Sequence, residues 1–290
     1  MTIEQISSHI RLQLKEIYPE TEIESFIRII FKEYMNLSPA EIHLSKNKEI
    51  PSLPELQIMD DVEELKGYKP IQYMFGKTEF YGLQLEVNPD VLIPRPETEE
   101  LVNWIINDYD IDADLKIADF CTGSGCIAIA LKSHFKNAEV WANDVSKEAL
   151  TVARRNARKN HTKIYFRMKD LLKGSLNSMT DNSLDIVVSN PPYVTHSEKE
   201  WMSPNVLNYE PHCALFAPKK NPLIFFKRIS YFAKKKLKNN GKIFFEINET
   251  SRNEIEKILK KYSFSEISSR KDINGKWRMI SAKKTERRKR

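Results

Sequence analysis

At 290 residues the chain is long for a single hydrophobic core and comfortable for two, a small one of about 70–80 residues and a larger one near 200. With 41% apolar and 30% charged residues it has no run near the ~20 apolar residues that span a bilayer, and its polar N-terminus lacks the apolar block of a signal peptide; a membrane class is excluded and the cytoplasm is expected. The net charge of +6 sits almost wholly in Lys283–Arg290, where six basic residues outweigh one Glu; a body near neutrality argues against a stable nucleic-acid complex and leaves the tail only a weak, salt-sensitive attraction to RNA.

Residues 1–75 read as a helical domain. Start signals of the capping-box type occur at Thr21-x-x-Glu24, at Ser38-x-x-Glu41 with Pro39 in the first helical position, and at Ser52-x-x-Glu55. Behind the first, Ile23, Phe26, Ile27, Ile30 and Tyr34 repeat at the spacing of one buried helix face. Gly67 is placed to end the third helix, and Lys69-Pro70 marks the exit.

Residues 76–92 form a linker. Within it Lys77–Val87 alternates around Gly82, which predicts a hairpin turning at that glycine. Proline-rich Pro94-Arg95-Pro96 then leads into a helix carrying Leu101, Val102 and Ile105. From Lys116 onward apolar strands alternate with helical segments, the pattern of a mainly parallel sheet covered on both faces. The strands fall at Lys116–Asp119, Glu139–Asn143, Lys163–Arg167, Leu184–Ser189, Lys242–Ile247, Ser265–Ser269 and Trp277–Ala282. The fold class is therefore α/β: a Rossmann-like seven-stranded sheet over residues 93–282, a small N-terminal helical bundle, a connecting β-hairpin and a basic tail at 283–290.

The first strand of that sheet runs into Cys121-Thr122-Gly123-Ser124-Gly125. Small residues let the backbone approach a ligand, and the following helix offers its free N–H groups. Read as Gly123-x-Gly125-x-x-Ala128, the loop also meets a dinucleotide fingerprint, so it does not choose between a nicotinamide cofactor and S-adenosylmethionine. Asp144 follows the second strand, 19 residues after Gly125, where a carboxylate can accept from both hydroxyls of a ribose; the alternative is a cap for the helix near Ser146. Asp170 is placed to meet an adenine amine and Leu171 to cover the ring. Cys121, Cys126 and Cys213, spaced by 5 and 87 residues, suit neither a disulfide framework nor a zinc site, and reduced thiols with no metal are expected.

The fourth strand ends in Asn190-Pro191-Pro192-Tyr193. Two prolines cannot continue a central strand, so the chain leaves the sheet at its ligand-binding edge. The Asn190 side-chain oxygen and the Pro191 carbonyl can then accept from one substrate NH2, and Tyr193 offers an aromatic face. Two acceptors oppose delocalisation of an amide or aniline-like lone pair and aim it at a methyl donor, so the tetrapeptide implies nitrogen methylation. Arg95 and Glu97 have both structural and functional explanations, and Glu246 reads as an ordinary polar residue at a strand end.

Over essentially the whole chain before the tail, the sequence resembles the bacterial peptide chain release factor glutamine methyltransferases. The likeness lies in Pro70-Ile71-Gln72-Tyr73, Gly76-x-x-x-Phe80-Tyr81-Gly82, Leu92–Glu99, the glycine loop, Asn190–Tyr193 and Tyr209-Glu210-Pro211. The resemblance implies S-adenosylmethionine held by Cys121, Thr122, Gly123, Ser124, Gly125, Asp144, Asp170, Leu171 and Asn190, and the glutamine of a Gly-Gly-Gln motif held by Asn190, Pro191, Pro192 and Tyr193. It implies class I release factors as partners, recognised by the helical domain; a monomer is expected. Cys121 stands where the family usually has Gly, so a positive φ there would be strained. An adenine-amino methyltransferase acting on DNA or RNA is the alternative, because adenine also presents a planar NH2.

Overall fold

The computed structural model describes residues 1–173 and 179–285. It divides into two compact units, Met1–Gly76 with Ser203–Tyr209, and Lys77–Met202 with the chain from Glu210 onward.

The first unit holds α1 (Ile3–Leu14), α2 (Glu20–Met35), α3 (Pro39–Leu44), α4 (Ser52–Lys66) and α5 (Ile71–Met74). Ile6 and Ile10 of α1, Ile23, Phe26, Ile27 and Ile30 of α2, and Ile58, Val62 and Leu65 of α4 form its core. Tyr34, the last member of the α2 stripe, is only half-buried and its hydroxyl donates to Asp61 Oδ2 at 2.7 Å. Of the three capping boxes read from the sequence, only Ser38–Glu41 forms. At the other two a proline takes the cap position, Pro19 for α2 and Pro51 for α4, which leaves Thr21 and Ser52 inside the first turn; a proline's fixed φ sets up the turn without a side-chain acceptor. Thr2 and Gln5, not anticipated, box the start of α1.

The second unit opens with the hairpin β1 (Lys77–Phe80) and β2 (Leu83–Glu86), antiparallel with Phe80 opposite Leu83. Tyr81 and Gly82 both take positive φ, 50° and 72°, the two left-handed residues that a twist-matched two-residue turn demands. Then come α6 (Pro96–Asn107), β3 (Lys116–Phe120), α7 (Cys126–His134), β4 (Glu139–Asp144), α8 (Lys147–Lys159), β5 (Ile164–Met168) and β6 (Leu184–Ser189). Next are α9 (Pro204–Tyr209), which belongs to the helical unit, α10 (His212–Leu215), α11 (Ile224–Lys236), β7 (Leu237–Glu246), α12 (Arg252–Lys261), β8 (Phe264–Lys271) and β9 (Trp277–Lys284). Within the helical unit the Tyr209 hydroxyl donates to the Gly67 carbonyl at 2.8 Å.

The seven strands order as β5-β4-β3-β6-β7-β9-β8. All neighbours are parallel except β9, which runs antiparallel to β7 and β8. Alternate residues feed two cores. Ile117, Ile186, Val188 and Phe244 pack with α6 and α7, while Ala118, Val187, Ile243 and Phe245 pack with α11 and α12. Burial on both faces explains why these strands read as continuous apolar runs.

β7 starts five residues before the expected Lys242. Its Lys-Asn-Asn-Gly stretch reads as a turn, but a register shift between Leu184 and Ile186 and a left-handed Asn240, φ 66°, let it stay paired. β9 reaches Lys284, so the sheet includes the first two residues of the expected tail. Lys283 pairs with Glu266 at 3.0 Å, and Lys284 Nζ donates to the Leu237 carbonyl at 2.6 Å. The rest of that basic run, 286–290, lies outside the described residues. Among the described residues no helix is long and apolar enough to cross a membrane.

Candidate active site

The strand order reverses direction between β3 and β6, and ligands of open α/β sheets bind at such a switch point, outside the carboxyl ends of the strands. A cleft of about 340 Å³ lies there, within the range of small-molecule sites. Its walls come from the segments after β3, β4, β5 and β6, from Asp90–Arg95 with Thr98 of α6, and from Cys213–Pro218.

Cys121, Thr122, Gly123 and Ser124 line the cleft, and Gly125 stands behind it as the N-cap of α7. Cys121, Gly123 and Gly125 take positive φ, 58°, 54° and 84°, so the loop winds left-handed at every second residue. Cys121 occupies the strained conformation that the resemblance warned of, with a half-buried side chain. Burial pushes its thiol well up, so it stays protonated. A Cβ on Gly125 would stand 3.1 Å from Ile129 Cδ1 and 3.2 Å from Ala153 Cβ; close packing of α7 on α8 is therefore a second reason for glycine there. The Ser124 hydroxyl is buried with no hydrogen-bond partner. Thr122 turns inward and donates to Asp119 Oδ2 at 2.5 Å.

Asp144 is fixed by the backbone. Gly123 N–H donates to its Oδ2 at 2.9 Å and Ser146 N–H to its Oδ1 at 3.0 Å. It does not cap α8, because Ser146 does so by accepting from Ala149 N–H at 3.0 Å. Burial raises the Asp144 carboxyl pKa and the backbone donors counter that rise. Asp170 and Leu171 also reach the cleft; Leu171 is buried, and Asp170 Oδ1 accepts from Leu172 N–H at 2.8 Å.

Asn190 and Pro192 form part of the wall, whereas Pro191 and Tyr193 do not. The Tyr193 hydroxyl points away to donate to Glu246 Oε1 at 2.9 Å. The other carboxylate oxygen, Oε2, accepts from Thr98 Oγ1 at 2.6 Å, and Thr98 Oγ1 accepts from Asn190 Nδ2 at 3.2 Å. Glu246 is thus no ordinary strand-end residue: it is 1% exposed and two hydroxyls converge on it. Burial raises its pKa, against the pull of Thr98, Tyr193 and Arg278 toward the charged form. Proximity of β6, β7 and α6 creates this cluster across 148 residues of sequence, and no local pattern announces it.

The rim is held by an ion pair whose carboxylate is buried and whose guanidinium is partly exposed. Arg95 donates to Glu210 Oε1, and Ile93 N–H reaches Oε2 at 3.3 Å. This joins two of the stretches that carry the family resemblance. Glu99 Oε1 instead accepts from Tyr81 N–H at 2.8 Å and ties the hairpin to α6.

Asn156 escaped the sequence reading. It is fully buried on α8, exchanges hydrogen bonds with the Glu86 backbone at 2.6 and 2.9 Å, and donates to the Ser124 carbonyl of the glycine loop at 2.9 Å. An asparagine on the apolar stripe of Leu150, Val152, Ala153 and Ala157 was the available signal. All three cysteines line this one cleft, unpaired. Among the described residues no cluster of potential metal ligands occurs.

A family model described as the methyltransferase small domain matches residues 98–207. The chain is 44% identical over 270 residues to the release factor glutamine methyltransferase of Flavobacterium psychrophilum, covering 92% of this chain and 94% of that protein. Identity to the protein of the same name from Bacteroides thetaiotaomicron is 37% over 278 residues, covering 96% and 99%. The fold is similar to that of a methyltransferase from Pyrococcus furiosus, at a TM-score of 0.53 and 20% identity over 74% of this chain and 98% of that one.

Proposed function

Because the chain belongs to the release factor glutamine methyltransferase family, we propose that it transfers a methyl group from S-adenosylmethionine to the side-chain amide nitrogen of the glutamine in the Gly-Gly-Gln motif of class I release factors. The observation that carries this reading is that Asn190 stands in one cleft with the glycine loop and Asp144, its Nδ2 engaged by Thr98 and its Oδ1 left for a substrate N–H. A release factor as substrate supports a cytoplasmic location. The helical unit is the candidate for recognising the release factor, with Leu53 and Leu56 exposed three residues apart on α4.

The residues present fit the cofactor. Asp144 offers a carboxylate already oriented by Gly123 and Ser146, Leu171 and Val145 offer apolar surface, and the Ser124 hydroxyl lacks a partner. Cys121–Gly125, Asp144, Asp170 and Leu171 would hold it, and when bound it supplies an electrophilic methyl group on sulfur. The protein's part is to prepare the nucleophile. Asn190 Oδ1 and the Pro191 carbonyl accept from the two amide hydrogens, oppose delocalisation of the nitrogen lone pair and fix its direction. The two prolines keep these acceptors from relaxing as charge develops. No strong base is needed before attack, since the nitrogen becomes acidic once alkylated. Tyr193, turned to Glu246, braces the loop.

Incubation of the enzyme with labelled cofactor and unmodified release factor is expected to add one methyl group to the motif glutamine, read by peptide mass spectrometry. Label that entered only DNA or ribosomal RNA would overturn the reading. Asn190→Ala is expected to lower turnover by about 10²–10³-fold, as for loss of one oriented polar partner of a transition state, while calorimetry shows the cofactor still bound.

A further inference from the structure

An asparagine amide has nearly the same shape after a half-turn about its last bond, so packing alone does not decide which end faces a substrate. Hydrogen-bond partners do. Thr98 is 2% exposed and has one hydroxyl proton, which lies on the 2.6 Å line to Glu246 Oε2. Its oxygen therefore meets Asn190, 3.2 Å away, only as an acceptor. An acceptor requires the NH2 end.

We infer that Glu246, acting through the Thr98 hydroxyl, sets the polarity of the Asn190 amide, holding Nδ2 inward so that Oδ1 is presented to the substrate nitrogen. Glu246 and Thr98 are then positioning residues for methyl transfer, and the inference rests on the assignment of Asn190 as an acceptor for the glutamine amide. A reversed Asn190 would present a donor to a donor and leave the reacting nitrogen without its partner. The same carboxylate holds Tyr193 through Oε1, so both ends of the tetrapeptide are keyed to one residue of β7. Arg278, which pairs with Asp272 at 3.1 Å, also favours the charged form of Glu246. Burial works the other way, and what marks the carboxyl as an acceptor is its geometry, with Oε2 facing the Thr98 hydroxyl and Oε1 that of Tyr193.

The test uses Thr98→Val, Thr98→Ser and Glu246→Gln in the full-length enzyme. Thr98→Val keeps the shape and removes the acceptor; it and Glu246→Gln are expected to lower kcat for release factor about 10–100-fold. The KM for release factor and the cofactor Kd should stay within about twofold, and Thr98→Ser should restore most of the lost rate. The double variant Thr98→Val/Glu246→Gln should be no slower than the worse single, because both changes cut one chain. A second readout is independent of turnover: with 15N-asparagine labelling, an Asn190 side-chain amide proton should be protected from solvent exchange in the wild type and in Thr98→Ser, and not in Thr98→Val. Wild-type kcat in Thr98→Val, a loss explained wholly by weaker cofactor binding, or Asn190 exchange that ignores residue 98 would each overturn the relay. If the wild type methylated no release factor while Asn190 protection still depended on Thr98, the relay would stand and the assigned substrate would fall.

Discussion

At Cys121 a side chain occupies backbone space that ordinarily belongs to glycine. Its φ of 58° is tolerable for a small unbranched residue and costly for a branched one, whose Cγ atoms crowd the carbonyl. Cys121→Gly is therefore expected to leave stability within about 1 kcal/mol of the wild type, lost thiol packing offsetting relieved strain, whereas Cys121→Val should cost about 1–3 kcal/mol. Urea midpoints of the two variants would check this, and equal midpoints would refute it. The sequence could flag the position only through the family pattern, since φ is not written in composition. Asn190 was legible because two prolines after an apolar strand are conspicuous. Thr98 and Glu246 were not, because a threonine in the first turn of a helix and a glutamate at a strand end each have a local explanation that conceals the 2.6 Å bond between them.

Among elements, the entry to α6 and the segment before α10 are joined by Arg95 and Glu210. The Glu210 side chain is only 1% exposed and that of Arg95 31%. Burial raises the Glu210 pKa, and Arg95 is the main force against that rise. Arg95→Ala strands a buried carboxylate and is expected to cost about 3–5 kcal/mol. Arg95→Ala/Glu210→Gln should recover a large part, since the stranded charge is then gone; a double variant as unstable as Arg95→Ala alone would disprove the coupling. Elements themselves were largely readable where periodicity and turn chemistry agree, as in the hairpin at Tyr81-Gly82 and the parallel strands. The sequence misplaced the starts of α2 and α4, where proline displaced a plausible side-chain cap, and of β7, where pairing to β6 overrode turn-forming residues.

For the molecule as a whole, stability and pH are linked through Asp119. It is 1% exposed at the end of β3, and its carboxyl is pushed up to about 7 by burial, against the Thr122 hydrogen bond. A carboxyl whose folded pKa is raised favours folding below its unfolded pKa, and that contribution is lost as pH rises through the folded value. The melting temperature of the ligand-free enzyme should therefore fall between the ordinary carboxylate range and about pH 7. Asp119→Asn, which cannot ionise, should lose that part of the slope; parallel profiles for the two proteins would exclude it. Such couplings lay beyond the sequence because burial is a property of the assembled sheet. The same assembly gathers every thiol of the chain. Cys126 is buried, Cys121 half-buried and Cys213 exposed, yet each borders the one cleft, although 87 residues separate Cys126 from Cys213 in sequence. The protein thus carries a built-in reporter: a molecule that fills the cleft is expected to slow the reaction of a thiol reagent with the cysteines that border it.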